Sequence, residues 1–351
     1  MLVAPTTTSR RLSEAPRDVA GAADPVAAVL EAHRDGVPVA LRTSGTSGSP
    51  RSVVRTTESW FASFGHVSAL LEVDEHAHVV VPGPLTATMN LFAAVHARWA
   101  GARLSLGELP GREDRATHVV VTPAALSRLL ARGADLGGVH VLAAGDRLDH
   151  GLHVRALGAG ASAVSHYYGA AELSFVAWGG HADDLWPFPG VEVRCHEDEV
   201  WVRSPYAFDR YDGTPGAARR DADGFVTVGD RGVLVDGQLV LRGRGTGTVV
   251  TGGATVLTAE VEDVLREALG RDVLVVGVPH PDLGEVLCGV LTSDSDVTEL
   301  RRTGDRLLAA SHRPRRWFVV SEPPLTVAGK LDRDGLAAML AAPDGDVRRL
   351  P

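Results

Sequence analysis

Lysine occurs at a single position in this 351-residue chain, Lys330, and every other Lys/Arg-type charge is carried by arginine. The two side chains are not interchangeable: lysine presents a compact ammonium on a flexible stem, arginine a planar fork. An arginine-rich composition leaves few lysines by chance, so the count decides little without its neighbours. Those neighbours are Pro324-Leu-Thr-Val-Ala-Gly-Lys330-Leu-Asp-Arg333. A glycine beside the lysine, on a loop, lets the ammonium reach into a site and offset charge that develops at a phosphate.

Three further segments have residue types suited to a nucleotide. The first runs Thr43-Ser-Gly-Thr-Ser-Gly-Ser-Pro-Arg51 after a strand-like run. Thr43, Ser44, Thr46 and Ser47 supply hydroxyls, Gly45 and Gly48 free backbone N–H groups, and Arg51 a cation, a set that suits phosphate oxygens. It lacks the closing Lys-Ser/Thr of a P-loop, and the same composition suits a Ser/Gly linker. The second is His166-Tyr-Tyr-Gly-Ala-Ala-Glu172. Here the Tyr168 ring can stack on a purine, Gly169 admits a close backbone, and Glu172 can hold Mg²⁺ through one carboxylate. The plainer reading is a buried Tyr pair with a solvated Glu. The third is Thr227-Val-Gly-Asp230, where Asp230 can accept two ribose hydroxyls or simply form a turn.

These segments need elements to position them. Between Pro25 and Tyr168, strand-like runs (Val37–Leu41, His78–Pro82, His118–Thr122, Val139–Ala143, Ala163–His166) alternate with helical ones (Glu58–Leu71, Leu91–Trp99, Pro123–Ala131, His150–Leu157). Such alternation predicts an α/β architecture with a mainly parallel sheet, whose sites gather in loops at strand carboxyl ends. The loops after Thr43, Pro82, Ala143 and Tyr168 are therefore the places for chemistry. From Val191 to Arg242 the period falls to two, which predicts β-hairpins around His196–Glu199 and Asp236–Gly237. Gly243–Gly253 reads as a glycine-dense joint. Beyond it, Thr258 is expected to cap a helix that ends at Gly270, followed by strands Val273–Val278 and Leu287–Leu291, a helix near Val297–Ala310 and strand Trp317–Val320. The expected division is a flexible lead over 1–24, a large N-terminal domain over 25–243, and a small mobile α+β domain over 244–351.

A net charge of −9 argues against nucleic-acid binding, which calls for a basic face. No run approaches the ~18 apolar residues of a membrane span, and the first residues lack the apolar core of a secretion signal. Cys195 and Cys288 stand far apart without metal-type spacing, so a reduced, cytoplasmic setting is expected.

Taken in order, Ser44–Arg51, Tyr167–Glu172, Thr227–Asp230, Leu241–Arg244 with Thr251–Gly253, Glu260–Glu262 and Leu325–Lys330 resemble the adenylate-forming superfamily of acyl-CoA synthetases, peptide-synthetase adenylation domains and firefly luciferase. The resemblance covers Leu41 to Leu340. It implies ATP-dependent activation of a small carboxylic acid to an acyl-adenylate, then thioesterification to coenzyme A, with Mg²⁺ as cofactor. Lys330 becomes the lysine that orients acid and ATP, Glu172 the Mg²⁺ ligand, Asp230 the ribose ligand and Arg244 the basic residue beside the hinge. That hinge is Gly245, Thr246 and Gly247, and Gly252 and Gly253 face coenzyme A. Thr86, Thr88, Met89, Gly145, Arg147 and Ala170 line the acyl pocket. The chain is also similar to the short o-succinylbenzoate–CoA ligases of actinobacterial type, but its Pro82–Asn90 loop lacks their histidine. Arg51 stands where the family usually has lysine, Ala171 where it has threonine, and Thr246 where it has aspartate. An acyl carrier protein as acceptor and a non-catalytic nucleotide-binding protein are the alternatives, and a homodimer fits either reading.

Overall fold

A computed structural model describes residues 15–43, 51–110, 114–213, 215–244, 247–270, 273–293, 296–343 and 345–351. Its centre is a seven-stranded sheet in the order Trp186–Pro187, Ser174–Gly179, Ala163–Ala170, His140–Ala144, His118–Val121, His78–Val81 and Arg103–Leu106. The last five strands run parallel, and the first two are antiparallel additions. Chain order reverses between His78–Val81 and His118–Val121, because the next strand after His78–Val81 lies on its other side.

The strands are apolar at nearly every position because both faces are covered. Val79, Val81, Val120 and Leu142 pack with Trp60, Phe64 and Val67 of helix Glu58–Leu71 and with Leu91 and Phe92 of helix Thr88–Trp99. Val80, Val119, Val121, Val141 and Ala143 pack on the other face with Leu126 of helix Pro123–Ala131 and with Leu152 and Ala156 of helix His150–Gly158. Full burial of one such side chain contributes roughly 1.5–3 kcal/mol. Thr122 and Asp149 cap the last two helices by accepting from Ala125 and Leu152 N–H.

Several expectations change here. The strand before the Ser/Thr/Gly loop is not part of the parallel sheet. Val39–Thr43 pairs antiparallel with Arg51–Arg55 inside a separate four-stranded sheet. The lead is structured at its end: Arg17–Asp18 adds to that sheet parallel to Val39–Ala40, Val19 is fully buried, and Asp24 caps helix Pro25–Asp35. Arg17 N–H donates to the Pro38 carbonyl and Arg42 pairs with Asp18, which ties the segment down. The two expected hairpins are present as Glu192–His196 with Glu199–Arg203 and as Asp230–Val235 with Gln238–Arg244.

The glycine-dense joint is shorter than its composition suggests. Thr248–Thr251 and Ala254–Leu257 form a hairpin whose turn is Gly252–Gly253. Helix Thr258–Leu269 has Leu257 at its N-cap position with no side-chain cap bond, and Thr258 is its first residue, whose hydroxyl donates to the Gly247 carbonyl. Strands Leu274–His280, Gly284–Leu291 and Arg316–Val320 follow, with helix Val297–Leu307 and two elements absent from the sequence reading, helix Arg333–Ala341 and strand Val347–Arg349. The buried clusters of this C-terminal region contain residues from Val249 onward, and those of the N-terminal region end at Leu239.

Candidate active site

The loops after His78–Val81, His118–Val121 and His140–Ala144 leave the same end of the parallel sheet, beside the reversal in strand order. Ligands in open α/β sheets gather at such a place. After His78–Val81 the chain turns through Gly83 and Pro84 into helix Thr88–Trp99. Asn90, 2% exposed, holds this turn by donating its amide to the Pro84 carbonyl at 3.0 Å. The helix thus begins three residues earlier than its periodicity suggests, and Thr88 and Met89 lie in its first turn.

Gly145, the first residue after strand His140–Ala144, has φ +88°, which favours glycine. A methyl group there would stand 3.3 Å from Lys330 Cε, 3.5 Å from Met89 Sδ and 3.7 Å from Thr122 Cγ2. The lysine of the C-terminal region therefore meets two loops of the parallel sheet at one point.

Lys330 reaches that point from a small hairpin. Leu325 bridges Leu331, Thr326 N–H donates to the Lys330 carbonyl at 2.8 Å, and Asp332 N–H donates to the Pro324 carbonyl at 2.9 Å. Asp332 also caps helix Arg333–Ala341. Arg333 forks onto both oxygens of Glu262, at 2.7 and 2.9 Å, and Glu262 accepts from Val275 N–H as well. This pair, 7% exposed on the Glu262 side, joins the Glu260–Glu262 segment to the lysine segment.

A second group lies around strand Ala163–Ala170. Tyr168 Oη donates to Asp230 Oδ2 at 2.7 Å, and Asp230 is 7% exposed at the start of strand Asp230–Val235. Its register partner is Arg244, which the backbone brings opposite it. Tyr211 Oη donates to Glu172 Oε1 at 2.8 Å. Tyr211 stands on Arg210–Asp212, the neighbour of Arg51–Arg55, so the strand that leaves the Ser/Thr/Gly loop is one strand away from the residue that orients Glu172. Gly169 has a local reason to be glycine: a Cβ would lie 2.1 Å from the Ser174 carbonyl oxygen, at the irregularity in strand pairing.

Burial controls the titrating groups nearby. His166 is 2% exposed and donates its Nδ1–H to the Ala143 carbonyl; burial lowers its pKa to about 4, so the ring is neutral. Arg55, fully buried, donates to the Tyr206 carbonyl at 2.7 Å and packs over Trp60. Desolvation brings its pKa down to about 10, opposed by the charges of Asp209 and Glu172, so it stays cationic at neutral pH.

Not every expected residue joins these groups. Arg147 is engaged by Asp183 and the Leu241 carbonyl and lies 4.0 Å from Asp263, so its guanidinium already spans the two regions. Thr86 is exposed. Gly247 anchors Thr258, while Gly252 N–H donates to Leu283 in the distal hairpin turn. Ala170 ends its strand two residues before Glu172. Ser44, Gly45, Thr46, Ser47, Gly48, Gly245 and Thr246 lie outside the described residues, and only the backbone positions of Thr43, Arg51 and Arg244 are described. Tyr211, Thr122 and Arg55 were not singled out from the sequence, and no local motif marks them.

Met89 also lines an apolar cavity of about 20 Å³, with Phe92, Leu142, Tyr167 and Phe175 among its walls. Phe175 stacks on Tyr167 with ring centroids 4.0 Å apart, which gathers aromatic residues that overall composition does not suggest. Burial keeps His96 and His118 on the same wall below their ordinary pKa, His96 at about 4. Among the described residues, no helix is long and apolar enough to cross a membrane.

Comparison with known proteins gives this geometry a context. The family described as AMP-binding enzyme matches residues 6–211. The chain is 27% identical over 268 residues to a putative long chain fatty acid-CoA ligase, VraA, of Staphylococcus epidermidis, covering 70% of this chain and 58% of that one. It is 27% identical over 307 residues to the 2-succinylbenzoate–CoA ligase of Escherichia coli, covering 84% and 67%. Among solved structures, a variant of E. coli MenE with bound OSB-AMS aligns at TM-score 0.71 and 26% identity, covering 86% of this chain and 68% of that one. The chain thus spans about three fifths to two thirds of the length of these relatives.

Proposed function

The chain belongs to the AMP-binding enzyme family, and from that premise we propose that it activates a carboxylic acid with ATP and passes the acyl group to the thiol of coenzyme A. The observation that carries the proposal is the meeting of Lys330 with Gly145 and Met89 at the carboxyl end of the parallel sheet. A lone ammonium delivered there from almost the end of the chain has a chemical use: it offsets charge that builds as a carboxylate oxygen attacks the ATP α-phosphorus and pyrophosphate departs. The relatives described above, acid–CoA ligases, support the same reaction class.

The residues present fit the nucleotide and its metal. Asp230 is a buried carboxylate already oriented by Tyr168, as a ribose ligand should be. Glu172 is half-buried with one oxygen fixed by Tyr211, so its other oxygen is directed, and a single carboxylate beside phosphates is a common Mg²⁺ arrangement. When bound, Mg²⁺ would neutralise phosphate charge. Ser44, Thr46, Ser47 and Arg51 would hold the departing phosphates. On this reading the chain divides near Arg244–Gly247 into two domains, in line with their separate apolar cores. The smaller one then turns to withdraw Lys330 and present Gly252–Gly253 to the pantetheine thiol.

A pyrophosphate-exchange assay over a panel of carboxylic acids tests the first step. Acid-dependent exchange with at least one acid is expected, followed by an acyl-CoA ester when coenzyme A is added. Exchange without any ester would move the acceptor to a carrier protein, and ATP binding without exchange for any acid would remove the proposed activity.

A further inference from the structure

The Lys330 hairpin touches the N-terminal region through two side chains of one helix. Thr122, the N-cap of helix Pro123–Ala131, donates its hydroxyl to the Gly329 carbonyl at 2.6 Å. Arg128, further along the same helix, donates Nη2 to the Pro323 carbonyl at 2.7 Å. Pro323 precedes the hairpin and Gly329 adjoins Lys330, so the bonds grip its base and its tip. Because the hairpin is braced internally by the Leu325–Leu331 bridge and the Thr326–Lys330 and Asp332–Pro324 bonds, two external anchors fix it as a body.

The chemistry of the threonine hydroxyl makes the first anchor directional. A hydroxyl has one proton and two acceptor sites. Thr122 Oγ1 accepts from Ala125 N–H at 3.2 Å as the helix cap, which fixes its rotamer and leaves the proton to point elsewhere. In this structure it points at Gly329, 207 positions away in sequence. Arg128 serves in the same way through a backbone carbonyl, so neither contact depends on the side chains of the hairpin. Neither residue touches the point near Gly145 through a charged group, and both act through the position of Lys330.

We propose that Thr122 and Arg128 are positioning residues that dock the Lys330 hairpin for the adenylation step. The proposal rests on the reading of Lys330 as the adenylation lysine. Loss of an anchor lets the hairpin, and with it the ammonium, sample positions in which it no longer faces the reacting phosphate. The step that follows adenylate formation does not use the docked lysine, so it is spared.

The single lysine supplies a test that needs no substrate. In protein labelled with ¹⁵N-lysine, one backbone amide signal arises, from the Lys330 N–H whose peptide carbonyl is Gly329, the acceptor of Thr122. Thr122→Val removes the donor, and Thr122→Ser keeps it. The signal is expected to move in Thr122→Val and to stay near the wild-type position in Thr122→Ser. In parallel, pyrophosphate exchange should fall at least tenfold in Thr122→Val and severalfold in Arg128→Gln, while thioester formation from supplied acyl-adenylate stays within twofold of wild type. Thr122→Ser should restore exchange. Loss of the helix cap alone would lower both half-reactions together, and that result overturns the positioning role. An unmoved signal in Thr122→Val overturns the contact itself. If wild-type protein exchanges pyrophosphate with no acid, the proposed function fails while the amide signal still decides the docking.

Discussion

Asp230 and Glu172 are held differently from Lys330, and the contrast separates what this site has prepared in advance from what must arrive. Asp230 is buried and Glu172 half-buried, and each is oriented by a tyrosine hydroxyl from the same N-terminal region. Their partners stand on strands knitted into sheets, so these carboxylates have little freedom to lose when a nucleotide binds. Lys330 is exposed at the tip of a hairpin, in a region whose apolar cores are its own. It is brought to Gly145 by bonds to backbone carbonyls and by ion pairs at the seam, Arg147 with Asp263 and Arg231 with Glu260. Exposed ion pairs of this kind are worth roughly 0–1 kcal/mol. The carboxylate side is built; the lysine side is docked.

The contrast breaks most sharply at the lysine itself. Lys330→Ala should lower adenylate formation by roughly 100-fold or more, the scale seen when one preorganised charge-stabilising donor is removed. Because the side chain is exposed on a hairpin tip, the melting temperature should hardly change. A thermal scan beside a pyrophosphate-exchange assay checks both halves, and a large drop in melting temperature would place Lys330 among the structural residues.

Acid should affect the built side through His166. Its folded pKa of about 4 lies below the unfolded value of 6.5 because burial disfavours the charged ring. Its contribution is therefore fully present above pH 6.5 and is lost as the pH falls toward 4, since the unfolded chain binds the proton more readily in that window. At pH 5 the loss is roughly 2 kcal/mol. Urea unfolding of wild type and His166→Asn at pH 7 and pH 5 should show a smaller drop in the variant. Equal drops would mean that His166 is not the group that takes up the proton.

Asp230→Asn keeps the shape and an acceptor for Tyr168 but removes the charge. Hydrogen bonds to a charged acceptor exceed neutral ones by about 1 kcal/mol, so ATP affinity should fall roughly fivefold while folding is preserved. Calorimetry decides it, and unchanged affinity would take Asp230 out of the nucleotide site.

The smallest effect is expected at Met89. Met89 lies between Gly145 and an apolar cavity of about 20 Å³, room for little more than a methyl group. Met89→Ala should shift acid preference severalfold toward bulkier apolar acids, read as relative kcat/KM over a panel. A uniform fall for all acids would assign Met89 to packing instead.

How far the sequence disclosed this arrangement depended on the range of the contacts. Helices Glu58–Leu71 and Pro123–Ala131 were legible to their ends because periodicity is a local signal. The Asp236–Gly237 hairpin was legible for the same reason. Strand Arg51–Arg55 was not, because only two apolar residues stand between charged ends, and its partners Val39–Thr43 and Arg210–Asp212 supply its order. The Thr248–Leu257 hairpin was hidden by its own turn, since Gly252–Gly253 made the stretch look like a joint. In the candidate site, Asp230, Glu172 and Lys330 stood out by type and spacing. Their supports did not: Tyr211 meets Glu172 across 39 positions and Thr122 meets Gly329 across 207. Neither pairing leaves a mark on its neighbours in sequence. Arg147 shows the converse, a prominent charge after a strand whose partners, Asp183 and the Leu241 carbonyl, lie 36 and 94 positions away and are invisible locally.

On the proposed function, the one lysine serves the first half-reaction and not the second. An amine-selective acylating reagent has two targets in this chain, Lys330 and the N-terminal amine, and acylation removes the ammonium's charge. Protein shown by mass spectrometry to be fully acylated at Lys330 should lose pyrophosphate exchange with every acid while still converting supplied acyl-adenylate to thioester. Undiminished exchange in that same protein would contradict the account and return Lys330 to a solvated residue at a hairpin tip.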